Sequence, residues 1–191
     1  GDQGFLRINL NDTDYEDNTD DTGMQRGSDG YEMVAGVRLD LSGVTYGDIF
    51  AGYISHDFID SSLVTIDGVT FGADLTWNAS ELTTVMLKLT REISETTQSS
   101  TSGTFDTEFD VSIDHELLRH LTLSATAGFE HQEFEGTTRE DRYLRFGFGA
   151  RYLVNRNLDI LFNYDFDRRT SDHAGSDYTE NLFMLRAIGK L

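Results

Sequence analysis

Apolar and polar residues alternate with a period of two along most of this chain. Over residues 31–41 the odd positions are Tyr31, Met33, Ala35, Val37, Leu39 and Leu41, and the even ones are Glu32, Val34, Gly36, Arg38 and Asp40. The same pattern recurs over 69–77, 105–113, 121–129, 144–152 and 158–166. Period-two alternation marks strands that separate an apolar medium from a polar one. Noisier segments add Leu6, Ile8 and Leu10, then Val85, Leu87 and Leu89, and a run over 181–191 that is apolar almost throughout. Over 48–58 either Ile49-Ala51-Tyr53 or Phe50-Gly52-Ile54 fits the apolar face. Ten strands and no helix are expected.

A β-sandwich core could supply the apolar side. Two features favour lipid instead. The polar faces carry glycine and full charges, and the apolar faces run for about nine residues, the span of a tilted transmembrane strand. Connections also alternate in length. Short ones are expected near 42–45, 78–80, 118–120 and 155–157, and long ones near 12–30, 57–67, 94–103, 133–140 and 168–177. Tight periplasmic turns and long external loops are the outer-membrane pattern. The fold expected is all-β: an antiparallel up-and-down transmembrane β-barrel of about ten strands, one domain over 1–191, alone or as part of a larger barrel. Two aromatic belts should mark the interfaces, Tyr31, Phe71, Phe105, Phe129, Phe166 and Phe183 outside, and Tyr46, Trp77 and Tyr152 inside.

Composition narrows the classes. A formal charge of −19 argues against a nucleic-acid partner, which needs a basic face. Absence of Cys excludes disulfides, thiolate metal sites and Cys nucleophiles. No apolar run approaches the ~20 residues of a membrane helix. No signal peptide precedes the patterned sequence, so an exported protein would have its targeting segment removed or upstream.

Catalytic signals are weak, and no catalytic residue is expected. Of five histidines, His131 and His115 share the apolar parity, His120 falls in a short turn and His173 in a loop. His56, near Asp57 and Asp60, is the one candidate for a hydrolase at the rim. Neither Gly-x-Ser-x-Gly nor His-Glu-x-x-His occurs. The acidic run over 12–21 spaces carboxylates two apart, as Ca²⁺ sites do, but has Asp17 where an EF-hand needs glycine. A solvated external loop is the favoured reading, with loose Ca²⁺ or Mg²⁺ association near lipopolysaccharide over Asp12–Asp21 as the alternative; no cofactor is expected.

The polar parity offers more. Asp106, Glu108, Asp110 and Asp114 share one strand's inward face, Asp159, Asp165 and Asp167 another's, Arg145 and Arg151 a third's, and Arg186 and Lys190 the last one's. These are the expected pore-lining residues, and rows of lumenal charge select solutes. In a closed bore the same groups would pair into a plug.

Several phrases carry a family resemblance: Arg26-Gly27-Ser28-Asp29-Gly30-Tyr31-Glu32, Ala51-Gly52-Tyr53, Asp67-Gly68-Val69-Thr70-Phe71 leading to Leu75-Thr76-Trp77-Asn78, Thr83-Thr84-Val85, and Arg91-Glu92-Ile93-Ser94-Glu95-Thr96-Thr97. Asp114-His115-Glu116-Leu117, Arg139-Glu140-Asp141, Arg168-Arg169-Thr170-Ser171 and Asp177-Tyr178-Thr179-Glu180-Asn181 continue it. In this order the chain resembles the putative β-barrel porin 2 family of outer-membrane proteins, over nearly its whole length. Members are typically longer, and the likeness is to their C-terminal part. The chain ends in Leu191 where many such barrels end in Phe. The resemblance implies a channel in the bacterial outer membrane, in contact with lipid and lipopolysaccharide. It further implies a conduit for polysaccharide export working with a periplasmic export protein. The contrasting expectation is a structural or adhesive barrel without an open bore.

Overall fold

Alternation of this kind produces ten antiparallel strands in the computed structural model, which describes residues 1–15, 19, 23–41, 43–96, 98 and 101–189. They are β1 (Gln3–Thr13), β2 (Ser28–Leu41), β3 (Thr45–Phe58), β4 (Ile66–Ser80), β5 (Thr83–Glu95), β6 (Gly103–Leu118), β7 (Leu121–Phe134), β8 (Glu140–Asn155), β9 (Leu158–Ser171) and β10 (Tyr178–Gly189). Each pairs with its sequence neighbour in a single meander from β1 to β10. No helix occurs among the described residues. The strands are separated by two or three residues after β2, β4, β6 and β8, and by five to fourteen after β1, β3, β5, β7 and β9.

Local chemistry explains the tight ends. Gly43 sits at φ 70°, where a side chain would be strained, while the Asp40 carboxylate accepts its N–H at 3.3 Å. Ser80 Oγ accepts from Leu82 N at 3.2 Å, and Asn155 Oδ1 from Asn157 N at 2.8 Å. Register shifts at Asn78/Ser80, Glu116/Leu118 and Leu153/Asn155 precede three of the four turns.

Directly paired residues share a face, so the registers assign every strand. One row runs Leu6, Ala35, Ala51, Phe71; another Val85, Ile113, Ala125, Phe148, Tyr164, Phe183. This face is apolar across all ten strands and open to the surroundings: Leu6 is 84%, Phe148 45% and Leu185 76% exposed. A water-soluble protein would not leave so large an apolar surface bare. Segment 48–58 resolves here, with Ile49, Ala51 and Tyr53 on the apolar face and Phe50, Gly52 and Ile54 on the other.

The registers also give the strand tilt. A row of paired residues crosses β2 at Arg38, three residues before Leu41, and β8 at Arg145, ten residues before Asn155. With the short turns level, that drift of seven residues at ~3.3 Å over six strand steps of ~4.8 Å tilts the strands by about 40°. Transmembrane barrels tilt by about 35–45°. The sheet is not closed within this chain: β1 and β10 are its two edges.

At the long-loop end the sheet splits. Pairing of β4 with β5 stops at Phe71 and Arg91, and Thr70 Oγ1 donates to Arg91 O at 2.7 Å in place of a ladder bond. Beyond this point Ile54, Ile66 and Phe105 form a buried cluster, with Phe58 and Ile93 packed against it. Phe105 is therefore not part of an interfacial belt, being only 3% exposed. Tyr46 also departs from its expected belt, because it pairs with Asp40 and Thr76 on the polar face. Tyr31, Phe71, Phe129, Phe166, Phe183, Trp77 and Tyr152 keep the apolar parity.

Candidate functional site

The second face is largely polar. Its central row is Gln3, Arg38, Asp48, Asp74, Lys88, Asp110, Gly128, Arg145, Asp167 and Glu180, one residue from each strand. The row on its long-loop side reads Phe5, Gly36, Phe50, Gly72, Thr90, Glu108, Glu130, Tyr143, Arg169 and Tyr178. Ten of the eleven expected pore-lining residues lie on this face, and the eleventh, Lys190, lies outside the described residues.

Four like-charged pairs stand directly opposite each other on this face, Asp48–Asp74, Glu92–Asp106, Glu108–Glu130 and Asp167–Glu180, which by itself destabilises a sheet. Two of them are answered by an arginine. For Asp48 and Asp74, Arg38 forks onto Asp48, with Nε and Nη2 at 2.8 and 2.9 Å from the two carboxylate oxygens. For Glu108 and Glu130, Arg145 donates to Glu130 at 2.7 Å and reaches past β7 to Glu108. Gly128 makes that reach possible: a Cβ there would stand 2.4 Å from Asp110 Oδ1 and 3.4 Å from Arg145 Nε. Farther along, Arg151 donates to Asp159 at 2.6 Å, and Gln132 to Asp106 at 2.9 Å. Fully buried Asp141 accepts from Arg139 and Arg169. Asp165 lies over Gly147, and Arg186 donates to Met184 Sδ at 3.4 Å. These pairs run along the wall, between strands at most two apart, and so leave the space above the face unbridged. Sequence reading missed Arg38, Asp48, Asp74, Lys88, Glu130 and Arg169, although their parity in each strand marked them.

Two further features furnish the face. Phe5 lies over Gly36 and Phe50 over Gly72, where an added Cβ would come within 2.4 Å of either ring, and the Arg7 guanidinium stacks 4.6 Å from the Phe50 centroid. Toward the short turns a groove of about 390 Å³ is lined by Thr84, Asp114, Ser124, Gly149, Arg151 and Asn163, among others.

The histidines assemble no catalytic group. His56 packs over Gly30 with its Nδ1 unpartnered, while Asp57 accepts from Thr65 and Asp60 from Ser62. His115 contacts Thr83 Oγ1 at 2.9 Å, His131 lies 3.2 Å from Glu140, His120 meets the Tyr152 ring edge-on, and Ser171 Oγ accepts the His173 N–H. Much of the acidic run over 12–21 lies outside the described residues. Within the described part, Tyr15 donates to Glu95, a bond that raises the phenol's pKa. No cluster of three or more His, Asp or Glu fit to hold a metal occurs among the described residues.

A tilted meander that is apolar on one side and charged on the other is the wall of an outer-membrane-type β-barrel. The chain belongs to the Putative beta-barrel porin 2 family, whose model matches residues 2–190. Among solved structures it is similar to OmpTdeltaL8, a loop L8 deletion mutant of OmpT, an outer membrane protein of Vibrio cholerae. That likeness has a TM-score of 0.55 and 11% identity, over 98% of this chain and 61% of that one, and concerns the fold. The chain thus spans less than two thirds of that structure's length. No curated protein matches it. Family and fold together point to the outer membrane and to a porin-like role.

Proposed function

We propose that this chain forms the wall of a water-filled channel in the bacterial outer membrane, without enzymatic activity. The observation that carries this reading is the sorting of the two faces. Across ten strands the outward rows are apolar, while the inward rows collect charge, hydroxyls and glycine. Lipid on one side and water on the other is the environment such a sheet needs. The free backbone groups of β1 and β10 also need partners, because unpaired amides are costly in hydrocarbon. β1 runs toward the long-loop end and β10 away from it. Closure is therefore by direct pairing or through an even number of further strands.

Polysaccharide export is the finer form of the proposal. The half-buried rings of Phe5 and Phe50 offer edges that suit the C–H faces of sugars, and the groove lined by Thr84, Asp114, Ser124 and Asn163 offers hydroxyl and amide partners to a glycan. Lipopolysaccharide would contact the apolar face, and a periplasmic export protein the short turns. One observation favours the second reading, a structural barrel without an open bore. Leu161, Leu182, Met184 and Ile188 bring apolar side chains onto the inner face of β9 and β10. Planar-bilayer recording tests the channel: discrete conductance that a soluble polysaccharide blocks supports export, ion current without block supports a general porin, and a silent bilayer supports the structural barrel.

A further inference from the structure

The split between β4 and β5 brings opposite faces of one sheet together. Ile54, Ile66, Gly68 and Thr70 have the parity of the polar face, whereas Ile93, Gly103 and Phe105 have that of the apolar face. They are nonetheless in contact. A Cβ on Gly68 would stand 3.1 Å from the Phe105 ring, and one on Gly103 would stand 2.6 Å from Ile66 Cδ1. Neither half of the sheet loses register: β3–β4 pair without interruption up to Ile66, and β5–β6 from Thr83 to Glu95. An outward face can meet an inward face in this way only if the β5–β6 tip lies on the inner side of β3–β4.

We infer that the tip of the β5–β6 hairpin, Ile93–Glu95 with Gly103–Phe105, is tucked into the mouth of the lumen as a constriction that narrows the path of solutes; this rests on the channel reading above. The fastening is extensive. Phe105 is sealed under Ile54 and Ile66, and the Arg91 guanidinium lies 4.5 Å from its ring centroid. Arg26, from the loop after β1, donates to the carbonyls of Thr96, Gln98 and Thr101 at 2.7–3.0 Å. Ser102 Oγ accepts from Val64 N at 2.6 Å, and its own N–H donates to Glu135 O at 3.1 Å. The loops after β1, β3 and β7 thus all hold this tip, as a free external loop would not require. On the lumenal side the tip presents Glu92 directly opposite Asp106, a like-charged pair that the strand pairing alone disfavours. Placed at a constriction, the two carboxylates would admit cations in preference to anions.

Two measurements test this. The chain contains no cysteine, so Ile66→Cys with Gly103→Cys gives a clean cross-link assay. A disulfide should form on mild oxidation of the folded protein; failure to form one in a protein that otherwise folds and inserts would refute the tucked position. In planar bilayers, replacing residues 94–104 by an Asn-Gly turn should raise single-channel conductance roughly twofold or more. Glu92→Gln with Asp106→Asn, which leaves the fastening intact, should lower the cation-to-anion permeability ratio. Unchanged conductance and selectivity in these variants, beside a conducting parent, would refute the constriction while the channel stands. A silent parent beside a double-cysteine variant that cross-links would refute the channel and the constriction with it, and leave only the position of the hairpin.

Discussion

Phe148 stands where the lipid reading is most exposed to refutation. On β8 the apolar parity runs from Leu144 to Tyr152, with Phe148 at its centre. At a tilt of about 40° those eight residue steps cover about 20 Å of depth, close to the ~25 Å apolar band of an outer-membrane barrel. Phe148 then lies near the midplane, and Tyr152 about 10 Å below it, near the interface. Arginine on a lipid face costs about 2–4 kcal/mol at the midplane and about 0–1 kcal/mol near the interfaces. Phe148→Arg should therefore destabilise the barrel by about 2–4 kcal/mol, and Tyr152→Arg by less than about 1 kcal/mol. Ser124→Arg, on the polar face beside Gly149, should fall within about 0.5 kcal/mol of the parent. Equilibrium unfolding from lipid vesicles in guanidinium, monitored by the single Trp77, gives all three. Equal losses at Phe148 and Tyr152, or a loss at Ser124 as large as at Phe148, would refute both the facing and the tilt.

Arg145→Met should leave the half-buried Glu108 and Glu130 carboxylates adjacent, costing about 1–2 kcal/mol after allowance for their solvent contact; a double-mutant cycle with Glu130→Gln should recover part of it. Gly128→Val should cost about 1–3 kcal/mol by displacing Asp110 and Arg145, and a stability equal to the parent's would show that the bridge over β7 does not need the glycine. With no native cysteine, His173→Cys in the β9–β10 loop should react with an impermeant maleimide on intact cells, and Arg156→Cys in a short turn should react only after the outer membrane is opened; the reverse pattern would invert the orientation.

Most of the strand pattern was legible because burial by lipid and by water leaves opposite marks on alternate residues. Segment 48–58 was not, since Phe50 and Ile54 make both parities apolar. Cross-strand partners decide it, Ile49 facing Val37 and Ala73, and no single strand carries that information. Phe105 was misplaced for a related reason. Its parity is that of a lipid-facing residue, and what buries it is a separation between β4 and β5 that no local motif announces. The charged row was half legible. Asp110 and Arg145 stood out beside other charges, while Arg38, Asp48, Asp74 and Lys88 were scattered through four strands, Asp48 and Lys88 in noisier ones, and became a row only through the register.

The tilt changes what that row can do. Residues paired across a sheet lie on a line perpendicular to the strands, so in a tilted barrel the row climbs instead of encircling the lumen at one height. From Arg38 on β2 to Arg145 on β8 the climb is about 18 Å, more than half the hydrocarbon thickness. Arg38, Asp48, Asp74, Lys88, Asp110 and Arg145 therefore occupy successive depths, as a ramp of mixed sign along the wall. In the channel proposed above, a solute passing inward would meet them in turn. Neutralising one of them, as in Asp110→Asn, removes one step of the ramp and should shift ion selectivity only slightly. A ring of charge at one height would concentrate the effect, because its members act on the ion together. Glu92 and Asp106, directly paired within one hairpin, are a single strand step apart and so nearly share a depth, and the inference above places them where the path is narrowest. Selectivity should thus respond more to that pair than to any single member of the longer row.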